Sequence, residues 1–568
     1  MRKPTTKEIN LALNSFSKKD RLVFFSLAAI FIICVILILK KVNDNFLVEV
    51  PAVGGSLSEG VVGEAPRFIN PLLATSDADR DLTALIYSGL VRVGDNGAYI
   101  PDLAESYNIS TDGLTYTFVI RKNAVWQDGT PVTADDIDFT IQKAKDPTIK
   151  SYKRPGFEGV QVTKIDDKTI SFKLKQPYSP FLENVTLGIL PKHIWKDVDS
   201  ESFPYSKFNM QPIGSGPYMF SSASTKGPPD YYDLKPFRYF VLGKPMIEKL
   251  RVRFYKNEED LLYAYRSGDI DAINTIPPET AKKIEGQGVQ LVETTLPRIF
   301  AVFFNQNHSK VLADKAVRKA LDLATDRNDV VQNILLGYGT AINGPLPTIS
   351  SISSTSTHIT NLASAKKILI NGGWKFNTKK NIWEKIVKKK PTMSLSFDMA
   401  TANTPELKNS AETIKKNWGE LGAVVNLKVY EIGDLNQNVI RPRKYDALFF
   451  GEIVGRNPDL FSFWHSSQRN DPGLNISMYA NSKADRLLET VRTEQDPSKK
   501  SKELYNNLQT EILNDVPAIF VYSPKFLYTL PTTIRDRKID NISVSSDRLL
   551  YIYKWYTDTD KIWKIFAK

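Results

Sequence analysis

The sequence predicts an α/β protein that follows a single membrane-spanning helix. Three observations predict this arrangement: an uninterrupted apolar segment near the N-terminus, alternating helical and extended patterns further along, and a globular composition. Hydrophobic residues make up 42% of the 568 residues and charged residues 24%, which is the balance of a chain that buries a large core.

The apolar segment Leu22–Leu39 has 18 residues, of which only Ser26 is polar. As a helix, at about 1.5 Å per residue, it is roughly 27 Å long, close to the ~30 Å hydrocarbon core of a bilayer. Basic residues crowd its N-terminal flank, so the positive-inside rule places residues 1–21 in the cytoplasm. We therefore expect residues 22–39 to be a transmembrane anchor, residues 40–51 a tether, and the body to be extracellular or periplasmic.

A cleaved signal peptide is the competing interpretation of this segment. No small-x-small cleavage site follows the apolar run, which ends in Leu39-Lys40-Lys41, so an uncleaved anchor is preferred. Lipidation of Cys34 is disfavoured because Ile33 stands where lipoprotein signals have a small residue. Cys34 is the only cysteine in the sequence, and the external body can therefore form no disulfide.

The net charge of +12 is divided between a basic N-terminal end and a nearly balanced remainder. Residues 1–41 carry a net charge of +6, and the other 527 residues carry the same net charge. The one dense basic run, Lys388–Lys390, precedes Pro391 and an extended pattern, as in a solvated loop. We therefore expect no nucleic-acid partner.

Strand and helix patterns follow one another through the body. In its first part, Thr115–Arg121 and Ile170–Leu174 alternate as strands with one buried face, and Thr133 with Asp136 fits a capping box that opens a helix. In its second part, helices are predicted within Ala313–Leu335, Ala411–Leu421 and Ser501–Leu513. Strands are predicted at Thr392–Ala400, Val424–Tyr430, Tyr445–Phe450 and Ala518–Tyr522. Such alternation indicates helices that cover a sheet, which defines the α/β class.

Short motifs also occur in a fixed order along the body. They are Val61-Val62-Gly63, Asn70-Pro71, Leu85–Leu90 (LIYSGL), Pro101–Ser106 (PDLAES), Asp112–Phe118 (DGLTYTF), Trp126–Pro131 (WQDGTP), Pro212–Tyr218 (PIGSGPY), Arg266–Asp271 (RSGDID), Phe304-Asn305 and Val317–Arg327. Each motif is weak alone. Their shared order resembles the bacterial extracellular solute-binding proteins, family 5, which serve ABC importers of oligopeptides, dipeptides and nickel.

This resemblance implies the type II periplasmic-binding-protein fold, with two α/β lobes, a hinge, and an extra domain in the first lobe. Carried over, lobe I takes residues 52–95, 214–296 and 520–568, the extra domain takes 96–213, and lobe II takes 297–519. It also implies that a peptide or another small solute binds between the lobes and stabilises their closed form. The implied partners are the permease subunits of an ABC importer, and we expect a monomer without a cofactor.

An enzyme would need a nucleophile, metal or cofactor site, and the sequence offers no such constellation. Its four histidines have no metal-ligand spacing, which also disfavours a metal site. No nucleophile elbow, phosphate loop or dinucleotide fingerprint is present in the sequence. We therefore expect a binding protein and not an enzyme. A surface receptor or sensor of the same fold, and a binder of sugars or metal chelates, stay open as alternatives.

In peptide-binding relatives, a Gly-Trp-x-x-Asp-Tyr loop follows a strand of lobe II, and its Asp holds the α-amino group of the peptide. Here the segment after that strand reads Gly451-Glu452-Ile453-Val454-Gly455-Arg456, with Gly455 at the Asp position and Glu452 at the Trp position. Glu452 is a candidate replacement, because a buried ammonium needs a carboxylate partner. The alternatives are that Glu452 pairs with Arg456 or lies in solvent.

The same comparison gives further candidate ligand residues. Thr75, Ser76 and Asp77 occupy a loop that lines the cleft in relatives, although Asp77 could instead cap the following helix. Phe304 and Asn305 lie where the chain enters lobe II. The Asn305 amide either serves peptide-like groups of the ligand or ties the hinge backbone.

One aromatic residue completes the candidate site. Trp464 either forms an apolar shelf for ligand side chains or packs in the core. Its neighbour His465 is expected to be structural, and Asp459 is expected to be a turn or cap residue.

Overall fold

The computed structural model describes residues 15–94, 97–178, 180–224, 230–285, 290–346, 359–386, 392–455, 459–494, 499–539 and 542–566. Arg456 and Lys388–Lys390 lie outside these described residues.

Within the described residues, the α-helices of four residues or more are, in chain order, α1 Lys18–Phe46, α2 Asp77–Ile86, α3 Ala134–Lys145, α4 Phe181–Asn184, α5 Lys192–Trp195, α6 Glu258–Ser267, α7 Pro278–Ile284, α8 Lys315–Ala324, α9 Leu362–Asn371, α10 Pro405–Leu421, α11 Phe461–Trp464, α12 Ser482–Thr493 and α13 Lys499–Asp515.

The strands are β1 Leu47–Ala52, β2 Gly54–Val62, β3 Val91–Val93, β4 Tyr99–Pro101, β5 Ala104–Ile109, β6 Thr115–Ile120, β7 Gln161–Lys164, β8 Thr169–Lys173, β9 Tyr218–Ala223, β10 Tyr231–Pro236, β11 Ile247–Tyr255, β12 Ala272–Ile273, β13 Gln290–Thr295, β14 Arg298–Phe304, β15 Gly339–Ala341, β16 Lys375–Asn377, β17 Ile382–Lys385, β18 Met393–Ser394, β19 Ser396–Ala402, β20 Val424–Tyr430, β21 Ala447–Ile453, β22 Ala518–Leu530 and β23 Asp558–Trp563.

One compact unit combines Met1–Gly55 with Tyr556–Lys568. Its helix α1 contains a segment, Lys18–Asn43, that is long and apolar enough to cross a membrane, with a mean hydropathy of 3.3 and no burial. Strand β1 pairs antiparallel with β23. The resemblance placed residues 520–568 in lobe I, whereas the structure groups the last of these residues with the N-terminal segment.

The second unit, Ser56–Trp555, is built on a mixed sheet. Its strands run β20-β19-β21-β14-β22-β12-β2-β11-β10-β9, and β13 and β15 also pair with β22. The β19 strand is parallel to β20 and β21, whereas β14 is antiparallel to β21 and β22. Helix α10 packs on β19 and β20. The predicted α/β class is therefore confirmed. A separate antiparallel sheet, β5-β6-β8-β7, lies within the residues predicted as the extra domain.

Two large hydrophobic cores divide this second unit. The lobe II core contains buried residues from 299–522, and the lobe I core contains buried residues from 57–296 and 526–555. The chain passes between the cores at two neighbouring places, before β14 and within β22. There the Ser523 hydroxyl donates a hydrogen bond to the Leu296 carbonyl at 2.9 Å. These two crossings form the hinge, while the lobe boundaries carried over from the resemblance stay predictions.

Some predicted helices and strands agree with the structure and others do not. The predicted strand Val424–Tyr430 is confirmed as β20. The helical pattern within Ala313–Leu335 is not one helix, because α8 ends at Ala324. A new turn then begins at Asp326, whose carboxylate accepts a hydrogen bond from the Asp329 N–H at 3.0 Å. This local cap competes with continuation of α8 and explains the break.

Candidate functional site

The motif Pro212–Tyr218 holds the backbone against the C-terminal end of α2. A Cβ atom on Gly214 would lie 2.0 Å from the Ile86 carbonyl oxygen. The Gly216 N–H donates a hydrogen bond to the same oxygen at 2.7 Å. Only glycine permits this close approach. The motif therefore fixes the end of α2 beside the loops that form the candidate site.

A cavity of about 360 Å³ lies at this end of α2. Most of its wall belongs to the lobe I side of the hinge, and Arg298 and Ile453 join the wall from β14 and β21. These two residues are register partners, so their side chains share one face of the strand pair. The volume falls in the range of about 300–1,000 Å³ that is usual for small-molecule sites. This cavity is therefore the candidate ligand site.

Basic side chains contribute much of the charge in the cavity wall. The basic lining residues within the described part of the chain are Arg80, Arg92, Lys153 and Arg298. The Arg92 guanidinium lies 5.2 Å from the ring centroids of both Tyr551 and Tyr553. Burial raises the pKa of the neighbouring Asp102, against the opposing effect of Arg92 and Arg121. Arg92 thus has aromatic rings and a carboxyl group as neighbours, while its Nε and the Asp102 Oδ1 make no hydrogen bond among the described residues.

Lys153 and Arg298 are less well balanced. Among the described residues, no carboxylate lies within 4.0 Å of the charged group of either side chain. The Arg298 Nε is buried and makes no hydrogen bond within that same part of the chain. Burial lowers the pKa of both residues, and Arg80 adds a like charge near each of them. The carboxylates of Glu183, near Lys153, and of Asp77, near Arg298, act in the opposite direction. Arg80 itself forms an ion pair with Asp77 at 3.3 Å.

The loop predicted to line the cleft lies at the start of α2. The Ser76 hydroxyl caps this helix by accepting a hydrogen bond from the Asp79 N–H at 3.1 Å. The Asp79 carboxylate accepts hydrogen bonds from the N–H groups of Thr75 and Ser76, at 3.2 and 3.1 Å. The alternative that Asp77 caps the helix is therefore wrong. Thr75 and Asp77 are exposed, and the ion pair of Asp77 with Arg80 brings it to the cavity wall.

The segment expected to form a loop after the lobe II strand begins within β21, which runs through Ile453, and Val454 and Gly455 follow the strand. Glu452 pairs with Ile299 of β14 and so points to the opposite face from Ile453. Its side chain is only 6% exposed, and neither carboxyl oxygen has a hydrogen-bond partner among the described residues. Burial raises the pKa of Glu452 well above its ordinary value, which favours the neutral form.

These observations decide between some of the alternatives for Glu452. The interpretation that its side chain lies in solvent is wrong, because the residue is buried. Pairing with Arg456 involves a residue outside the described part of the chain. The structure places Glu452 on the face of β21 that does not carry the cavity residue Ile453.

The remaining residues of this segment have structural contacts of their own. The Phe300 ring covers Gly451, where a Cβ atom would lie 2.6 Å from the ring. Val454 is buried, and its N–H donates a hydrogen bond to the Pro297 carbonyl at 2.9 Å. Gly455 adopts a φ of 79°, a left-handed conformation that favours glycine at the turn after β21.

Three other candidates lie in the lobe II core or its hydrogen-bond network. Phe304 and Trp464 are fully buried, and the Trp464 ring lies 5.7 Å from that of Phe520. The Asn305 amide donates a hydrogen bond to the Arg443 carbonyl at 2.9 Å, and its oxygen accepts two backbone N–H groups. None of the three lines the described cavity. The structure favours their packing and hinge interpretations.

A second contact joins the two lobes. The Tyr178 hydroxyl, after β8, donates a hydrogen bond to the Asp459 carboxylate of lobe II at 3.5 Å. Arg492 of α12 lies 5.0 Å from the Tyr178 ring centroid and forms an ion pair with Asp459 at 3.1 Å. Asp459 also accepts a hydrogen bond from the Phe461 N–H at 3.3 Å, as expected of a turn residue, while Leu460 is the N-cap of α11.

Sequence reasoning missed Arg80, Lys153 and Arg298 as cavity residues. Each is a single basic residue in a chain with 75 of them, so no spacing singles it out. The only available signal was the position of Arg298 at the crossing between the lobes.

Comparison with known proteins agrees with this architecture. The model of bacterial extracellular solute-binding proteins, family 5 Middle, matches residues 98–473. The chain is 28% identical over 498 residues to the oligopeptide-binding protein AppA of Bacillus subtilis, covering 86% of this chain and 90% of AppA.

Solved structures show the same relationship. AppA of Bacillus subtilis in complex with a nonapeptide has 26% identity and a TM-score of 0.68, covering 90% of this chain and all of AppA. The ABC transporter substrate-binding protein CtaP of Listeria monocytogenes has 26% identity and a TM-score of 0.75, covering 89% and 99%. NikZ of Campylobacter jejuni in complex with Ni(L-His) has 25% identity and a TM-score of 0.69, covering 88% and 99%. Since the family model spans more than half of its length, the chain belongs to the bacterial extracellular solute-binding proteins, family 5.

Proposed function

We propose that this chain captures peptides outside the cytoplasm and delivers them to an ABC importer. The observation that carries the proposal is the cavity whose wall combines lobe I residues with Arg298 and Ile453. A ligand that touches both sets of residues binds the closed form more tightly than the open form and shifts the population towards closure. The similarity to AppA, whose structure holds a nonapeptide, supports peptides as the solute class.

The proposed ligand site keeps some predicted residues and adds others. Thr75, Asp77 and Ile453 are kept, because they are exposed beside or within the cavity wall. Lys153 and Arg298 are added as wall residues with unbalanced charge. Glu452 is not kept as a direct ligand of the peptide amino group, because its strand position directs the carboxyl group to the other face of β21.

The test of this function is the melting temperature of the full-length chain in detergent. Ligands that bind only the folded state raise the melting temperature by mass action. At a ligand concentration of 100 times Kd, the free energy of unfolding increases by about 2.7 kcal/mol. We expect a rise with peptide mixtures of two to nine residues. A rise only with sugars or with a nickel–histidine complex would replace peptides by another solute class. No rise with any of these ligands would contradict the proposal.

A variant links this result to the cavity. Ile453→Glu places a charge in the wall, and it should abolish the ligand-induced rise without unfolding the protein. The matched control is Ile165→Glu, because Ile165 is 59% exposed and does not line the cavity. Equal peptide responses of the two variants would place the ligand elsewhere.

We also propose that α1 stays uncleaved and anchors the body outside the cytoplasm. The fully exposed apolar segment and the basic residues that precede it support this topology. Mass spectrometry of the membrane-extracted protein should recover peptides from residues 1–21. Protease added to intact cells or spheroplasts should remove the body and leave those residues protected. A mature N-terminus after residue 39 would show cleavage instead.

Import and sensing share ligand capture and differ in the step after it. Deletion of the gene should abolish uptake of a radiolabelled peptide that raises the melting temperature. Uptake that continues unchanged, together with loss of a peptide-induced transcriptional response, would identify a sensor.

A further inference from the structure

Three positively charged groups converge on the cavity. Arg80 acts electrostatically on both Lys153 and Arg298, and all three side chains line the same wall. Only Arg80 has an ion pair among them within the described chain, with Asp77 at 3.3 Å. Like charges in a partly desolvated site repel one another, and the nearby carboxylates of Asp77 and Glu406 offset part of this repulsion at Arg298. An anion that reaches the two basic groups would relieve the remainder.

The carboxylates of the wall have neighbours other than Lys153 and Arg298, although the Asp102 Oδ1 makes no hydrogen bond among the described residues. Asp547 accepts hydrogen bonds from the N–H groups of Ser543 and Val544, at 2.7 and 3.1 Å. Asp102 lies beside Arg92, and Glu183 has a partner of its own within the chain. These acids lower the repulsion around Lys153 without forming a close ion pair with it.

Long basic side chains often reach past an apolar wall into water, and this is the competing explanation. It does not account for Arg298, whose Nε is buried without a hydrogen bond in the described structure. Lys153 is half-buried, and its Nζ lies 5.0 Å from the ring centroid of Tyr152, so the role of this residue rests on its position in the cavity wall alone. The Arg298 Nε therefore behaves as a donor that awaits an acceptor, and Lys153 brings a second positive charge to the same cavity.

We propose that Lys153 and Arg298 hold a carboxylate of the ligand, so that this chain selects solutes that carry a negative charge at that point. The inference rests on the proposed capture function and specifies the charge of the captured solute. A carboxylate suits the site because it accepts two N–H groups of one guanidinium and a third hydrogen bond from an ammonium. In a peptide the carboxylate comes either from the C-terminus or from an acidic side chain.

The test uses four tripeptides that differ only in these groups: Ala-Ala-Ala, its C-terminal amide, Ala-Glu-Ala amide and Ala-Gln-Ala amide. Affinities for the full-length chain in detergent are measured by titration calorimetry at low and high salt. We expect a carboxylate-bearing peptide to bind about 10- to 100-fold more tightly than its neutral counterpart, with the advantage reduced by salt. The first pair tests the C-terminal carboxylate, and the second pair tests the side-chain carboxylate.

Two variants assign the effect to the named residues. Arg298→Gln and Lys153→Gln should each remove most of the advantage of the charged peptide while leaving the neutral peptide's affinity within about 3-fold. The control Lys249→Gln removes one positive charge from an exposed position on β11 that does not line the cavity. It should leave the advantage intact. Melting temperatures show whether each variant remains folded. If Arg298→Gln does not fold, the affinities of Lys153→Gln for the charged and neutral peptides decide the test.

The possible results distinguish the carboxylate site from the proposed capture of peptides. Peptides that bind without regard to their carboxylates overturn the inference and leave peptide capture standing. The inference is also overturned if both variants retain the wild-type advantage. If none of the peptides binds, peptide capture fails, and the charge question is decided by comparing gluconate with glucose in the same variants. Equal affinities for gluconate and glucose would overturn the carboxylate site as well.

Discussion

Substitution of Glu452 by glutamine tests whether burial keeps the Glu452 carboxyl group in its neutral form. The glutamate is buried opposite Ile299 with no hydrogen-bond partner for either oxygen among the described residues. Glutamine has the same shape as the protonated acid but cannot ionise. The variant therefore removes the ionisation of this residue and little else.

The direction of the pKa shift determines the expected effect. Burial raises the pKa of Glu452 above its ordinary value of 4.5, so the folded chain keeps a proton that the unfolded chain releases. Below about pH 4.5 both states are protonated, and the glutamate costs no stability. As the pH rises from there to the raised pKa, the wild type loses about 1.4 kcal/mol of stability per pH unit relative to the variant. Above the raised pKa the difference becomes constant.

The assay is urea unfolding of the full-length chain in detergent, followed by tryptophan fluorescence at pH 5, 6 and 7. Glu105→Gln is the control, since Glu105 is exposed and its substitution should give no comparable trend. The Glu452→Gln variant should gain stability over the wild type at each step in pH until the plateau is reached. A difference that is independent of pH over the whole range would refute the reasoning.

The same variant addresses recognition of the peptide amino group. Because Glu452 faces away from the cavity, Glu452→Gln should change peptide affinity by less than about 3-fold. N-acetylation of the peptide should then affect the wild type and the variant equally. A loss of affinity in the variant that matches the loss on N-acetylation would restore Glu452 as the amino-group ligand.

Two further substitutions test the packing that supports the cavity. Arg548 donates hydrogen bonds to both Asp81 oxygens at 2.8 Å and also contacts Glu59, so Arg548→Leu should destabilise lobe I by about 3–5 kcal/mol in urea unfolding. A loss of less than about 1 kcal/mol would contradict this account. A triple variant that also replaces Asp81 and Glu59 by neutral residues should be less destabilised than Arg548→Leu alone, and an equal loss of stability in the two variants would likewise contradict it. Gly214→Ala should lower stability by about 1–3 kcal/mol, because its Cβ would lie 2.0 Å from the Ile86 carbonyl oxygen. A neutral result, measured by thermal unfolding, would mean that the loop retreats easily from α2.

The parts of the fold that sequence predicted well are those that short-range patterns determine. The strand Val424–Tyr430 has the predicted ends, because turn residues bound its apolar pattern. The capping box at Thr133 is present, with the Asp136 carboxylate accepting the Thr133 N–H at 2.8 Å. The single N-terminal helix needed only the length and apolarity of one segment.

The parts that sequence predicted poorly depend on pairing with distant residues. Gly451 reads as a loop residue, yet β14 extends the strand to Ile453 by pairing across more than 150 residues of sequence, and Gly455 lies in the turn that follows. That extension fixes which face Glu452 occupies, and one residue of shift would have reversed it. Arg298 and Lys153 come together only through tertiary structure, so no local pattern could identify them.

The strand β22 has a consequence for how the chain matures. Its first half completes the sheet of lobe II, and its second half pairs with β12 and β13 of lobe I. Neither core is therefore complete until residues 518–530 have been synthesised, near the end of the chain. In the topology proposed above the body crosses a membrane, and late completion of both cores would keep it from folding before that passage. Truncation before β22 should accordingly leave two unfinished halves, not one stable lobe and one missing lobe.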